Sequence, residues 1–258
     1  MHVLIITDLE GVSCVDSIDM INEPGEGYRH ACEYLMADTN AAVDGAFLGG
    51  ATRVTVVDGH GSGRNFIHEL LDPRAEVLLS GEFAHTTPMK YDALLCVGAH
   101  AMSGTQDAFL DHTQNSTKWF EYCINSTPQG EMGQQAYCVG HFGTPLVMTS
   151  GDEAACLEAK RLVPNIATAC VKKADGRNKA ICLPLEEACE RIRKAAKDGV
   201  KRCKEIKPLR LKLPAELKLT FTRNDYCDES MHEGLIRNGR TVTKPLKILS
   251  CYRDLVKF

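Results

Sequence analysis

Three short apolar runs, residues 2–7, 53–57 and 93–97, each break off at residues that carry chemistry. The first runs into Thr7-Asp8-Leu9-Glu10-Gly11, the second into Asp58-Gly59-His60-Gly61, the third into Gly98-Ala99-His100. Runs this short and rich in branched side chains predict buried strands rather than helices. Between the first two, Ala31, Leu35, Thr39, Ala42, Val43 and Ala46 recur at three- and four-residue intervals, and Gly49-Gly50 closes the pattern, which predicts a long amphipathic helix over 28–47. Strand, helix and strand in this order give a three-layer, Rossmann-like α/β fold, its mostly parallel sheet covered by helices on both faces.

The same rhythm continues. A weaker apolar run covers 75–79, small and apolar residues alternate suitably for a buried helix over 131–142, another apolar run covers 145–149, and 152–161 opens on acids as a helix first turn should. Beyond about residue 171 the character changes. A helix is predicted over 185–204, prolines follow at Pro208 and Pro214, and strands are predicted over 217–222 and 241–248. The expected organisation is a metal-binding α/β domain at 1–170 and a smaller C-terminal α+β subdomain at 171–258.

Composition narrows the setting. A chain of 258 residues buries roughly three quarters of its unfolded surface, so it needs no disulfide to be stable. Its 12 cysteines are scattered singly, without C-x-x-C spacing, and read as reduced, core-packed thiols. No basic segment precedes the first apolar run, and no stretch approaches the ~20 apolar residues of a membrane span. The expectation is a cytoplasmic protein with no membrane partner. The net charge of −4 comes with a single Lys/Arg-rich helix, around 191–207, that reads as a solvated face; nucleic acid is not an expected partner.

In an open parallel sheet, ligands bind outside the carboxyl ends of the strands, where Asp8, Glu10, His60 and His100 fall. Asp8 and Glu10 are two apart, so their side chains point the same way if strand geometry persists past Thr7. Taken singly, each group has an ordinary structural reading as a turn or cap residue; four of them at three successive strand ends point to a site. Imidazole with carboxylate and no thiolate suits a catalytic zinc, manganese or cobalt site with an open position. Gly59-His60-Gly61-Ser62-Gly63 lacks the Lys-Ser/Thr of a phosphate loop, and no GxGxxG follows the first strand, so nucleotide binding is disfavoured.

The motifs Thr7-Asp8-Leu9-Glu10-Gly11-Val12-Ser13, Asp58-Gly59-His60-Gly61, Gly98-Ala99-His100-Ala101-Met102, Phe109-Leu110-Asp111-His112-Thr113 and Gly130-Glu131-Met132-Gly133 occur in that order. Together the set resembles the DppA-type D-aminopeptidase family of zinc metallopeptidases, most clearly up to about Lys172. The resemblance implies that Asp8 bridges two Zn2+ ions, that Glu10 and His60 complete one site, and that His100 and Glu131 complete the other. It supplies Glu131, which by itself reads as an acid favoured at a helix N-terminus. It also implies a catalytic role for His112. Three carboxylates and two imidazoles exceed the needs of one open site, whereas a metal pair ~3.5–4 Å apart uses them all; Mn2+ or Co2+ are alternatives to zinc.

The expected function is therefore a dinuclear zinc aminopeptidase hydrolysing short peptides, those with an N-terminal D-amino acid among them. By the same resemblance it is a homo-oligomer, a decamer of two stacked rings. Two other classes stay open: a related metallohydrolase acting on a non-peptide amide or ester, and a non-enzymatic α/β binding module.

Overall fold

The computed structural model describes residues 1–22 and 25–258. In chain order the first half comprises β1 (His2–Thr7), α1 (Glu26–Leu48), β2 (Arg53–Asp58), β3 (Ala75–Leu78), α2 (Ser80–His85), β4 (Ala93–Ala99), β5 (Trp119–Ile124) and β6 (Thr127–Pro128). Then follow α3 (Glu131–His141), β7 (Leu146–Asp152), α4 (Glu153–Leu162), β8 (Ala167–Ala174), β9 (Ala180–Cys182) and α5 (Leu185–Lys201). The chain continues through β10 (Ala215–Phe221), α6 (Asn224–Ser230), β11 (Ile236–Asn238), β12 (Thr241–Leu246) and α7 (Arg253–Val256).

Seven strands form one sheet in the order β3-β2-β1-β4-β7-β8-β9, parallel throughout except for β9. The chain lays β2 and β3 to one side of β1 and then returns to place β4 on the other, which makes the β1/β4 boundary a topological switch point. Register fixes the consequence: Thr7 pairs with Asp58 of β2 on one side and Val97 of β4 on the other. The three polar clusters expected after these strands are therefore neighbours in space.

Both faces of the sheet are covered, so the strands read as unbroken apolar runs and not as alternating ones; Val3, Leu4, Ile5, Leu94 and Leu95 are fully buried. Side chains alternate across a strand, and on β7 Met148 lies against Gly199 of α5 while Thr149 Oγ1 donates to Met132 Sδ of α3 at 3.5 Å. Helices α5 and α3 thus occupy opposite faces, and α1 packs on α5 with Gly45 against Arg193 and Ala196. The three-layer α/β expectation holds. No helix among the described residues is long and apolar enough to cross a membrane.

A second, antiparallel sheet has the order β11-β12-β10-β5-β6. Its strands β10 and β12 lie where the sequence places them, but β5 and β6 come from residues 119–128, where no strand was expected. The division expected at residue 171 falls inside β8, and α5 beyond it covers the main sheet; backbone pairing, not chain order, joins the small sheet across that point. The small sheet seats α7: Tyr122 Oη donates to the Leu255 carbonyl at 3.0 Å, and Lys244 Nζ donates to the carbonyls of Asp254 and Lys257 at 2.8 and 2.9 Å.

The closeness of α5 to the sheet rests on Gly199, where an added Cβ lies 2.6 Å from the Val147 carbonyl oxygen. Gly199→Ala is expected to push α5 outward and cost about 1–3 kcal/mol, read as a lower midpoint in denaturant at unchanged m-value.

Candidate metal centre

Strand β1 ends at Thr7 and the chain turns at once, Val12 N–H donating to the Leu9 carbonyl at 3.2 Å. Strand geometry does not persist to Glu10, as the sequence spacing suggested. The turn instead swings both carboxylates onto one group: His60 Nδ1 lies 3.2 Å from Asp8 Oδ1 and 3.1 Å from Glu10 Oε2. The turn fits only because Gly11 has no side chain, since a Cβ there would sit 2.0 Å from the Ala99 carbonyl oxygen. Gly98 answers it from β4, with φ of 72° and no room beside the Asp8 carbonyl.

Asp8 divides its oxygens. Oδ1 faces His60, while Oδ2 lies 3.4 Å from His100 Nε2, which is itself 3.3 Å from Glu131 Oε1. Glu131 is the first residue of α3, and its Oε1 also accepts the Gln114 N–H at 2.7 Å. The structure thus brings Asp8, Glu10, His60, His100 and Glu131 into one continuous cluster.

His112 joins its edge. Its ring stacks on that of His100 with centroids 3.9 Å apart, and its Nε2 lies 3.8 Å from Glu10 Oε1 and 3.7 Å from Glu131 Oε1. Ligand atoms of Asp8, Glu10 and His100 lie within 4.8 Å of one another, as do those of His100, His112 and Glu131.

His100 tests whether this cluster suits a metal. Its Nδ1 donates to the Ala101 carbonyl at 3.0 Å, which leaves the Nε2 lone pair aimed at two carboxylate oxygens. That nitrogen is buried and has no hydrogen-bond partner among the described residues. Donors around a tetrahedral zinc at ~2.0–2.1 Å are spaced roughly 3.3–3.4 Å apart. The separations of 3.1 to 3.4 Å among Asp8, Glu10, His60, His100 and Glu131 match that spacing, so the donor set fits a bound cation.

Electrostatics agree. Burial disfavours charge on His60, but the Glu10 charge and hydrogen bonding to Asp8 and Glu10 outweigh it and push the imidazole up to about 11. Burial also resists charge on His100 and is likewise outweighed by Asp8 and Glu131. Asp8 itself moves upward, first through burial and then through the like charge of Glu10. Burial works against charge on Glu10 and Glu131 as well, but the imidazoles outweigh it and hold both carboxyls low, so the acids draw positive charge to the imidazoles and are stabilised by it.

Residues to which the sequence reading gave no role at the site hold the candidate ligands in place. Lys172 of β8 is buried and donates from Nζ to the carbonyls of Glu10, Val12 and Val15 at 2.5, 2.7 and 2.6 Å, with Phe109 packed against it. Burial pushes its pKa down to about 8, which at pH 7 still leaves one ammonium N–H for each carbonyl. Asp58 accepts from the amides of Asn65 and Phe66, and Asn65 Nδ2 donates to the His60 carbonyl at 2.8 Å, fixing that turn. Asp152 caps α4 through Ala155 and with its other oxygen accepts from Phe109 N at 3.0 Å, pinning the segment that carries His112. Lys172 had a visible signal, a lysine inside an apolar strand, but its three acceptors are 157 to 162 residues away.

A cavity of about 460 Å3 opens beside the cluster, lined on this side by Gly59, Gly61, Gln114 and Glu131.

Comparison with known proteins follows the geometry. A family model described as D-aminopeptidase matches residues 1–245. The D-aminopeptidase of Bacillus subtilis (strain 168) is 28% identical over 214 residues, 81% of this chain and 77% of that protein. A solved structure, described as the Zn-dependent D-aminopeptidase DppA from Bacillus subtilis, a self-compartmentalizing protease, superposes with a TM-score of 0.93 at 24% identity, covering 99% of this chain and 96% of that one. It is a likeness of fold.

Lys172→Met preserves length and removes the charge, and with it the ammonium donor that three buried carbonyls share. The expected cost is ~3 kcal/mol or more, measured as a lowered melting temperature of the metal-free protein; an unchanged melt would remove Lys172 from the support of the Glu10 turn.

Proposed function

Because this chain belongs to the D-aminopeptidase family of peptide hydrolases, we propose that it is a dinuclear zinc aminopeptidase releasing an N-terminal D-amino acid from short peptides. The observation that carries the reading is the buried, unpartnered His100 Nε2, set between Asp8 and Glu131 at the spacing of zinc ligands. In this reading Asp8, with an oxygen toward each imidazole, is the shared ligand. Glu10 and His60 hold one ion, and His100 and Glu131 hold the other. The names of the relatives, a Zn-dependent enzyme among them, support zinc and the D-residue.

When bound, the metals supply Lewis acidity toward the scissile carbonyl and lower the pKa of a water molecule. The chain's own residues do the rest. Gln114 N–H keeps Glu131 oriented. His112 donates from Nδ1 to the Leu110 carbonyl at 2.8 Å. Its tautomer is thereby set, and Nε2 is the atom that takes a proton during attack and returns it to the leaving amine. Stacking on His100 fixes the ring plane without using that nitrogen. Copies of the chain assemble into a closed decamer, a reading supported by the relative described as self-compartmentalizing.

Zinc-loaded protein is expected to release alanine from D-alanyl dipeptides faster than from L-alanyl ones, and to lose this activity on chelation and regain it with zinc. Cleavage indifferent to chelator would contradict the reading. His112→Ala is expected to lower kcat by about 10²–10⁴-fold while elemental analysis finds the zinc retained; an unchanged kcat would remove the proton-transfer role.

A further inference from the structure

The cavity beside the metal centre has a wall that bond cleavage leaves without a task. Its roughly 460 Å3 lies within the range of about 300–1,000 Å3 typical of small-molecule sites. Glu131 is the one acidic side chain among the described residues lining it, and Arg253 and Lys257 of the C-terminal segment line the same cavity. Trp119, Phe221 and Phe258 give it apolar surface.

We propose that this wall recognises the free carboxyl end of a short peptide: Arg253 and Lys257 engage the terminal carboxylate, and apolar side chains of the peptide lie against Trp119, Phe221 and Phe258. The inference rests on the aminopeptidase reading and specifies the substrate as a short zwitterionic peptide. Its amino end faces the metal centre and its carboxylate faces Arg253 and Lys257.

Three observations carry it. First, Arg53, Arg74, Arg177, Arg223 and Arg237 are each committed to a carboxylate, whereas among the described residues no carboxylate pairs with Arg253 or Lys257. Second, Arg253 is oriented without being neutralised. Its Nη1 donates to His85 Nε2, and His85 Nδ1 donates to the Gly81 carbonyl at 2.8 Å, so His85 serves as an uncharged acceptor. The rest of the guanidinium keeps the planar fork of donors that suits a carboxylate.

Third, the segment is held in register with the metal centre. Gln114 Nε2 donates to Tyr252 Oη at 2.9 Å while Gln114 N–H donates to Glu131. Residue 253 therefore follows directly on a residue tied to a proposed ligand. The bonds from Tyr122 and Lys244 fix the next turn, giving the support a recognition residue requires.

The test compares kcat/KM for D-alanyl-D-alanine and for its C-terminal amide on zinc-loaded protein. Wild type is expected to prefer the free acid by roughly tenfold or more, the weight of a charge-assisted hydrogen bond, with the difference in KM. In the Arg253→Gln, Lys257→Gln double variant the ratio is expected to fall to near one, and Arg253→Lys is expected to retain part of it. Both substrates meet the same enzyme molecules, so partial unfolding of a variant cancels from the ratio. Equal kcat/KM in wild type, or a preference that survives the double variant, would overturn the assignment while leaving the aminopeptidase reading intact. Hydrolysis of neither substrate would overturn both.

Discussion

The burial of Asp8, Glu10 and Glu131 around His60 and His100 is the constraint on which the rest of this molecule depends. Three carboxylates held around two imidazoles at 3.1 to 3.4 Å form an arrangement that folding alone does not favour. Burial raises its cost, because charges out of water are stabilised only by partners. The pull of the acids on His60 and His100 shows the same pairing from the other side. A cation bound among these groups would partner the buried carboxylates and satisfy His100 Nε2, and its binding free energy would add to the stability of the fold.

The scaffold meets this cost by rigidity. β1, β2 and β4 are adjacent at the switch point of a sheet buried on both faces, and their carboxyl ends deliver four of the five proposed ligands. The close approaches of Gly11 and Gly98 let the turn after β1 lie directly on β4. Lys172 then ties three carbonyls of that turn to β8, replacing water in a place water does not reach. This single ammonium does for the Glu10 turn what Asp58 with Asn65 does for His60, and what Asp152 does for the segment leading to His112.

Much of the main sheet was legible in the sequence because its strands are continuous apolar runs and its helices keep a clean 3.6-residue period. Asp8, Glu10, His60 and His100 stood out because each follows such a strand, and the structure brings them together. Glu131 did not stand out from periodicity: it opens α3, where an acid also fits the helix dipole, and only the motif resemblance marked it. What stayed hidden was non-local. β5 pairs with β10 from far along the chain and β6 adds to β5, so the small sheet crosses the boundary that composition suggested at residue 171. Lys172 and Tyr252 act through partners more than 100 residues away, a relation no local pattern carries. The turn that brings Glu10 to His60 departs from strand alternation for a similar reason, since Gly11 meets the backbone of β4 and not its own strand.

The proposed metal centre and the cavity wall at α7 are linked through Gln114, which bonds to Glu131 and to Tyr252. The most direct test of the dinuclear centre is a calorimetric zinc titration of the metal-free protein. About two zinc ions per chain are expected, falling to about one when His100→Ala and Glu131→Ala remove one half of the donor set. A stoichiometry of one in the wild type, or two that survive in that double variant, would contradict the shared-ligand arrangement built on Asp8.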